Sequence, residues 1–261
     1  MPPLFSAPAV ILAGGYGTRL DSSRDQPKPL TEIGGEPLLW HVIRLLGSQG
    51  MAEFYIALGF GSAAIKRFFL ENDSFRHDGP ADLEADEITV FSTTPFESTI
   101  HLVETGMETN TGGRIKRLAP FLRDKKQFLM TYADSLANIE LPNLHAFHEA
   151  HGKLATVTAV RPPERFGRLV IEGDTVVRFN EKKPADNEWI NGGFFMLHPD
   201  VLEYIDGDST AWEQEPVVRL TEEGQLKCYH HHGFWACLDT QKEKNQFEAL
   251  WKSGSCPWKL W

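Results

Sequence analysis

Apolar positions along the chain alternate between short continuous runs and helical stripes. Residues 9–12 are uninterrupted Ala-Val-Ile-Leu and run into glycines, the pattern of a buried strand feeding a loop. Residues 36–49 carry Leu38, Leu39, Val42, Leu45 and Leu46 at helical spacing, and Gly50 stops the stripe. A second strand is predicted over 53–58 and a second helix over 62–70. Strand, helix, strand, helix at this pitch predicts a parallel sheet with crossover helices.

Residues 71–98 break the rhythm. They are polar and charged and contain Gly79, Pro80 and Pro95. They read as an insertion at the edge of the core, a long loop with a short hairpin. Alternation then resumes, with strands predicted over 99–103, 128–132, 156–160 and 193–197. Helices are predicted over 113–122, 144–151, 199–205 and 241–251. Residues 169–179 read as a β-hairpin turning at Gly173-Asp174. There is no internal repeat, low-complexity segment or compositional linker, so residues 1–261 read as one α/β unit with added segments.

Composition narrows the function. Lys and Arg number 26 against 36 Asp and Glu, a formal net charge of -10. That argues against nucleic-acid binding, which needs a basic face. It leaves room for a phosphorylated small molecule, which a few cations and backbone N–H groups can hold. No apolar run approaches a membrane span, so no membrane partner is expected. The start of the chain lacks a basic region and does not read as a signal peptide. Cys228, Cys237 and Cys256 are too few and too scattered for a disulfide framework or a zinc site. Together these features predict a cytoplasmic protein.

Two motifs carry candidate chemistry. In Leu12-Ala13-Gly14-Gly15-Tyr16-Gly17-Thr18-Arg19-Leu20 the glycines let the backbone turn tightly and approach a ligand. Successive N–H groups there form an anion-binding nest, Arg19 adds a forked cation, and Thr18 adds a hydroxyl. A glycine-rich turn after a strand is also a common structural feature. The dinucleotide fingerprint fails at Leu20, and the Gly-Lys-Ser/Thr of a P-loop is absent. In Pro27-Lys28-Pro29-Leu30, two prolines fix the backbone around one lysine, which suits an ammonium group facing phosphate charge. Alone, a Pro-Lys-Pro is equally an exposed lysine in a rigid loop.

Taken with Ile33-Gly-Gly-x-Pro37, the two motifs resemble the signature of the sugar-1-phosphate nucleotidyltransferases. The resemblance covers nearly the whole chain and points to the glucose-1-phosphate cytidylyltransferase branch. Pro37-Leu-Leu-Trp-His41, Leu102-Val-x-Thr-Gly106, Thr111-Gly-Gly-Arg114 and Arg165-Phe-Gly167 are similar to that branch. So are Ile190-Asn-Gly-Gly-Phe-Phe195, Trp212-Glu-Gln-Glu-Pro216, Gly233-Phe-Trp235 and Pro257-Trp-Lys259. The resemblance implies a Rossmann-like, mixed but mainly parallel sheet flanked by helices, with a β-rich insertion at about 71–98. Sugar-binding elements are expected within about 160–235. It also implies Mg2+, a homo-oligomer, and CTP and a sugar 1-phosphate as substrates.

The implied reaction is attack by the sugar-phosphate oxygen on the α-phosphorus of CTP, with pyrophosphate leaving. Such a transfer chiefly needs alignment and charge neutralisation. Arg19, Lys28, Asp134 and Asp239 are expected to be catalytic. Asp134 and Asp239 each follow a strand-like run, at positions the family uses for magnesium; either alone is commonly a turn or cap residue. The nucleotide is expected on Leu12, Ala13, Gly14, Gly15, Tyr16, Gly17, Thr18, Arg19 and Lys28. Thr109, Thr111, Gly112 and Arg114 are expected to complete that half, with Arg114 donating to the cytosine carbonyl oxygen. Gly112-Gly113 can also be a simple helix start. The sugar phosphate is expected on Tyr132, Glu181, Lys182, Asn191 and Gly192. His230-His231-His232 read as packing or surface, because neighbours in a strand face opposite sides.

Three departures from the family pattern bear on the sugar. The stretch 21–26 is about one residue shorter than in the family pattern. Tyr132-Ala133-Asp134-Ser135 stands where Tyr-Gly-Asp-Gly is usual, and Glu181-Lys182-Lys183-Pro184 where Glu-Lys-Pro is usual. Another hexose, heptose or cyclitol phosphate is therefore an alternative to glucose 1-phosphate, and UTP or dTTP to CTP. A non-catalytic nucleotide-sugar sensor is a further alternative, disfavoured by the presence of Asp134 and Asp239. An acyltransferase-linked enzyme would carry hexapeptide repeats, and none follows Asp239.

Overall fold

Each apolar run becomes a strand and each stripe a helix, and the two faces of the sheet share the apolar residues between them. The computed structural model describes residues 7–17, 26–78, 82–93, 95–161, 168–172, 174–180 and 189–261. The first elements are β1 (Ala9–Leu12), a 3-10 turn (Lys28–Leu30), the short pair β2 (Glu32–Ile33) and β3 (Glu36–Pro37), and α1 (Leu38–Gly47). Next come β4 (Glu53–Leu58), α2 (Ser62–Glu71), β5 (Phe75–His77), β6 (Glu87–Ser92) and β7 (Ser98–Glu104). The middle holds α3 (Thr111–Arg117), α4 (Ala119–Leu122), β8 (Phe128–Tyr132), β9 (Ser135–Ala137) and α5 (Leu141–His151). Then follow β10 (Ala155–Val160), β11 (Arg168–Glu172), β12 (Thr175–Asn180) and β13 (Ile190–Leu197). A 3-10 stretch (Pro199–Tyr204), α6 (Glu215–Glu222), β14 (Leu226–His230), β15 (Trp235–Cys237) and α7 (Gln241–Lys252) complete the chain.

Nine strands form one sheet in the order β14-β10-β13-β8-β1-β4-β7-β6-β5. Its centre, β8-β1-β4-β7, is parallel throughout, and β10 and β14 also pair in parallel. Only β13 and β6 run against the rest, each antiparallel to both neighbours. The sheet is therefore mixed and mainly parallel, as the resemblance implied. Strand alternation splits the core in two. Ile11, Phe54 and Ile56 pack on one side with Leu38, Val42 and Leu144 of the helices there. Val10, Tyr55 and Ala57 pack on the other with Ile115, Leu122 and Leu220. Helices on both faces are what lets the parallel strands read as continuous apolar runs. No helix among the described residues is long and apolar enough to cross a membrane.

The stretch 71–98 supplies β5 and β6, an antiparallel pair that joins the edge of the main sheet beyond β7. Buried Lys66 fastens the following turn: its ammonium donates to Leu83 O at 2.9 Å and Ala85 O at 2.8 Å, and pairs with Glu104 at 2.6 Å. The helix expected over 113–122 is two helices. Leu118 leaves the helical conformation between α3 and α4, and Pro120 at the start of α4 lacks the N–H that a continuous helix would need. The predicted hairpin at 169–179 forms as β11 and β12, paired with each other.

Candidate active site

The parallel strands β1, β7 and β8 deliver three loops to one edge of the sheet, and those loops surround a cavity of about 460 Å³. Ligands bind at this carboxyl edge of open α/β sheets, where backbone groups are left unpaired by the ladder. The glycine loop leaves β1 and forms one wall. Leu12, Ala13, Gly14, Gly15, Tyr16 and Gly17 all line the cavity. Thr18 and Arg19 lie outside the described residues. The opposite wall is the segment after β7, where Thr109 and Thr111 face the cavity and Tyr16 donates a hydrogen bond to Glu108 across it.

The floor carries the charge. Lys28 sits in the 3-10 turn between its two prolines, and its ammonium donates to Asp134 Oδ2 at 2.6 Å and Asp239 Oδ1 at 2.7 Å. Burial pushes the Lys28 ammonium down, but Asp134 and the bonds from both carboxylates outweigh it and hold the group above its ordinary value. Asp134 follows β8 directly. Asp239 reaches it through a short ribbon in which β15 runs antiparallel to β9 and Leu238 N–H donates to Asp134 O at 2.9 Å. A capping box then pins Asp239. Glu243 accepts its backbone N–H at 2.7 Å and that of Thr240 at 2.9 Å, at the start of α7. Ser135, in place of the usual glycine, donates to Asp134 Oδ1 at 3.2 Å and so orients that carboxylate.

A hard divalent cation fits this floor. Asp134, Asp239 and Cys237 offer ligand atoms within 4.8 Å of one another. The two carboxylates suit a cation that prefers oxygen, which needs only one or two of them alongside phosphates and water. Burial, and then Asp134, push the Cys237 thiol up to about 12.

Two of the residues expected on the nucleotide side also make close contacts within the protein. Arg114 lines the cavity, but its guanidinium is buried and committed to the protein. It donates to Leu58 O at 2.8 Å, Thr105 Oγ1 at 2.7 Å, Gly106 O at 2.8 Å, Gly14 O at 2.9 Å and Met107 O at 3.3 Å. It braces both walls of the cavity. Gly14 is a glycine for this reason, since a Cβ there would lie 2.3 Å from the guanidinium. Gly112 does not face the cavity. A Cβ there would lie 2.8 Å from Thr210 O, so the missing side chain lets the segment before α6 close against α3.

Of the residues expected at the sugar phosphate, Tyr132 lines the cavity at the end of β8. Asn191 is bonded to it, and the Trp235 indole donates to Gly192 O at 2.7 Å; neither Asn191 nor Gly192 is among the residues that line the cavity. Burial, and then Glu213, raise the Tyr132 hydroxyl and keep it protonated. Glu181 and Lys182 lie outside the described residues. Of the three histidines, His231 is buried and caps Phe234 O, while His230 and His232 pack edge-on to Trp189. The sequence reading missed Glu213, which bonds both Thr111 and Tyr132. Its motif was visible, but its partners stand far away in the chain.

Three loops at one sheet edge, with paired carboxylates on the floor between them, define an α/β protein whose cavity suits a phosphorylated ligand beside a divalent cation. Residues 8–242 match the nucleotidyl transferase family, and the chain belongs to it. Over 254 residues it is 42% identical to the glucose-1-phosphate cytidylyltransferase of Salmonella typhi, covering 97% of this chain and 99% of that one. It is 39% identical over 255 residues to the probable glucose-1-phosphate cytidylyltransferase of Bacillus subtilis, with the same coverage of 97% and 99%. The inositol-1-phosphate CTP transferase structure from T. maritima shares the fold, with a TM-score of 0.64 at 17% identity over 95% of this chain and 96% of that one.

Proposed function

We propose that the protein transfers a cytidylyl group from CTP to a sugar 1-phosphate, with α-D-glucose 1-phosphate as the expected acceptor. The observation that carries the reading is Lys28 held between Asp134 and Asp239 opposite the glycine loop, in a chain 42% identical to a glucose-1-phosphate cytidylyltransferase over nearly its whole length. A phosphate oxygen of the sugar phosphate attacks the α-phosphorus of CTP. The new P–O bond forms as the bond to the β-phosphate breaks, and pyrophosphate leaves with that electron pair. No covalent enzyme intermediate is needed.

The residues act by placement. Backbone N–H groups of the loop at Gly14–Gly17, with Arg19, hold the triphosphate. Lys28 meets the phosphates between which the bond changes hands and reduces their mutual repulsion. Asp134 and Asp239 would hold magnesium, which would supply positive charge to offset that of the phosphates. Thr109 and Thr111 flank the nucleoside, and Tyr132, Glu181, Lys182, Asn191 and Gly192 receive the sugar phosphate. The active form is expected to be a homo-oligomer.

The test is a matrix of CTP, UTP, dTTP, ATP and GTP against glucose 1-phosphate and other hexose, heptose and cyclitol phosphates, with magnesium, read as pyrophosphate release. CTP with glucose 1-phosphate should give the highest kcat/KM. A faster reaction with UTP or dTTP would overturn the base assignment. A faster reaction with another sugar phosphate would overturn the acceptor assignment.

A further inference from the structure

Glu213 stands between α3 and the end of β8, just after buried Trp212, and joins the two halves of the site. Thr111, in the first turn of α3, donates its hydroxyl to Glu213 Oε2 at 2.6 Å. Tyr132 donates its hydroxyl to Glu213 Oε1 from the other side. Both hydroxyl-bearing residues line the cavity.

An ionised carboxylate only accepts hydrogen bonds, so Glu213 fixes the direction of both hydroxyls. The rest of the network agrees with that direction. Thr111 Oγ1 accepts the Trp212 backbone N–H at 2.9 Å. Asn191 Oδ1 accepts the Gly193 N–H at 2.8 Å, which turns the Asn191 amide nitrogen toward the Tyr132 oxygen. Donors therefore converge on Glu213 along two arms. With both hydrogens committed, the Thr111 and Tyr132 oxygens offer only acceptor capacity to a substrate. An acceptor matches a ribose or sugar hydroxyl and repels a phosphate oxygen.

Glu213 is solvent-exposed, so core packing does not account for its place. We propose that Glu213 is a positioning residue that sets Thr111 and Tyr132 as hydroxyl acceptors, and so couples the nucleotide and sugar-phosphate halves of the site. This rests on the reaction proposed above.

Steady-state kinetics of the full chain with CTP, glucose 1-phosphate and magnesium distinguish the arms. Thr111→Val should raise the KM for CTP and leave that for the sugar phosphate. Tyr132→Phe should do the reverse. Glu213→Ala removes both acceptor oxygens, and should raise both KM values by roughly tenfold to a hundredfold, the range for a bond to a charged group. Adding Tyr132→Phe to Glu213→Ala should raise the sugar-phosphate KM no further. Glu213→Asp, which keeps the acceptors, should recover part of the loss. Glu213→Ala with both KM values unchanged, or with only one raised, would overturn the coupling, as would a loss of thermal stability with unaltered kinetics. No turnover by the wild-type protein with any substrate pair would instead refute the reaction, and the coupling with it.

Discussion

Replacing Arg114 by methionine is expected to lower stability and leave base selectivity intact. Methionine keeps much of the stem's volume but satisfies none of the five acceptors around the guanidinium. Two of these keep other donors: Leu58 O still receives Thr105 N–H at 3.0 Å, and Gly14 O still receives Phe60 N–H at 3.0 Å. Gly106 O and Met107 O lose the guanidinium in a part-buried setting. Each shielded carbonyl left unpaired costs about 1–3 kcal/mol, so about 3 kcal/mol is expected overall. For a protein of this size that lowers Tm by roughly 6–12 °C. Lysine should restore little, because a point ammonium cannot span both walls as the planar fork does. The assay pairs calorimetry with kcat/KM for CTP and UTP. A fall in Tm with the CTP-to-UTP ratio held within about twofold, well under the tenfold that 1.4 kcal/mol represents, fits a brace. An unchanged Tm with a collapsed ratio would refute the reasoning and return Arg114 to the base.

Asp134→Asn should fold normally yet lose at least about a thousandfold in kcat, because the charge that the cation supplies is worth several kcal/mol; calorimetric titration with Mn2+ should show weakened binding, and intact affinity would remove Asp134 from the metal site. Lys66→Met should destabilise by about 2–3 kcal/mol, less than for a fully enclosed ion pair because Glu104 is partly wetted. Limited proteolysis near residue 83 should then accelerate, whereas wild-type resistance would show that Lys66 does not hold that turn. Burial, followed by His151, His145 and His198, pushes His148 from 6.5 down to about 4. Its neutral form is favoured in the fold, so its contribution is present above pH 6.5 and is lost as pH falls toward 4, by up to about 3 kcal/mol. Urea midpoints at pH 7.5, 6 and 5 should fall less steeply for His148→Gln; an unchanged slope would rule His148 out.

The central strands were legible because burial on both faces leaves nothing but apolar residues to read. The prediction at 53–58 coincides with β4, and that at 128–132 with β8. Elements at the margins were not legible. β14 lies at the sheet's edge with Lys227, Cys228 and His230 exposed, so no apolar run marks it. β9 and β15 have three residues each, too few to show a period, yet their pairing brings Asp134 to Asp239. The aspartates were therefore found through the family signature and not through spacing. Arg114 was legible as a cation near glycines, but the carbonyls it serves belong to positions 14, 58, 106 and 107, and a backbone acceptor leaves no mark in a sequence.

Arg114, Lys66 and Lys28 are all cations shielded from water, and their counter-groups separate their roles. Arg114 is held by uncharged acceptors, four of them backbone carbonyls that have no net charge to offer a competing ion. Lys66 has two carbonyls and one carboxylate, on residues that do not line the cavity. Neither can be released without leaving polar groups unpaired, so both work as fixed braces. Lys28 is different, because both of its partners are carboxylates that line the cavity. A divalent cation offers those carboxylates twice the charge of an ammonium, and a triphosphate offers the ammonium new anions at the same moment. The exchange keeps every charge paired throughout, which makes Lys28 the cation of the three able to follow the chemistry while Arg114 holds the walls and Lys66 the turn beyond β5.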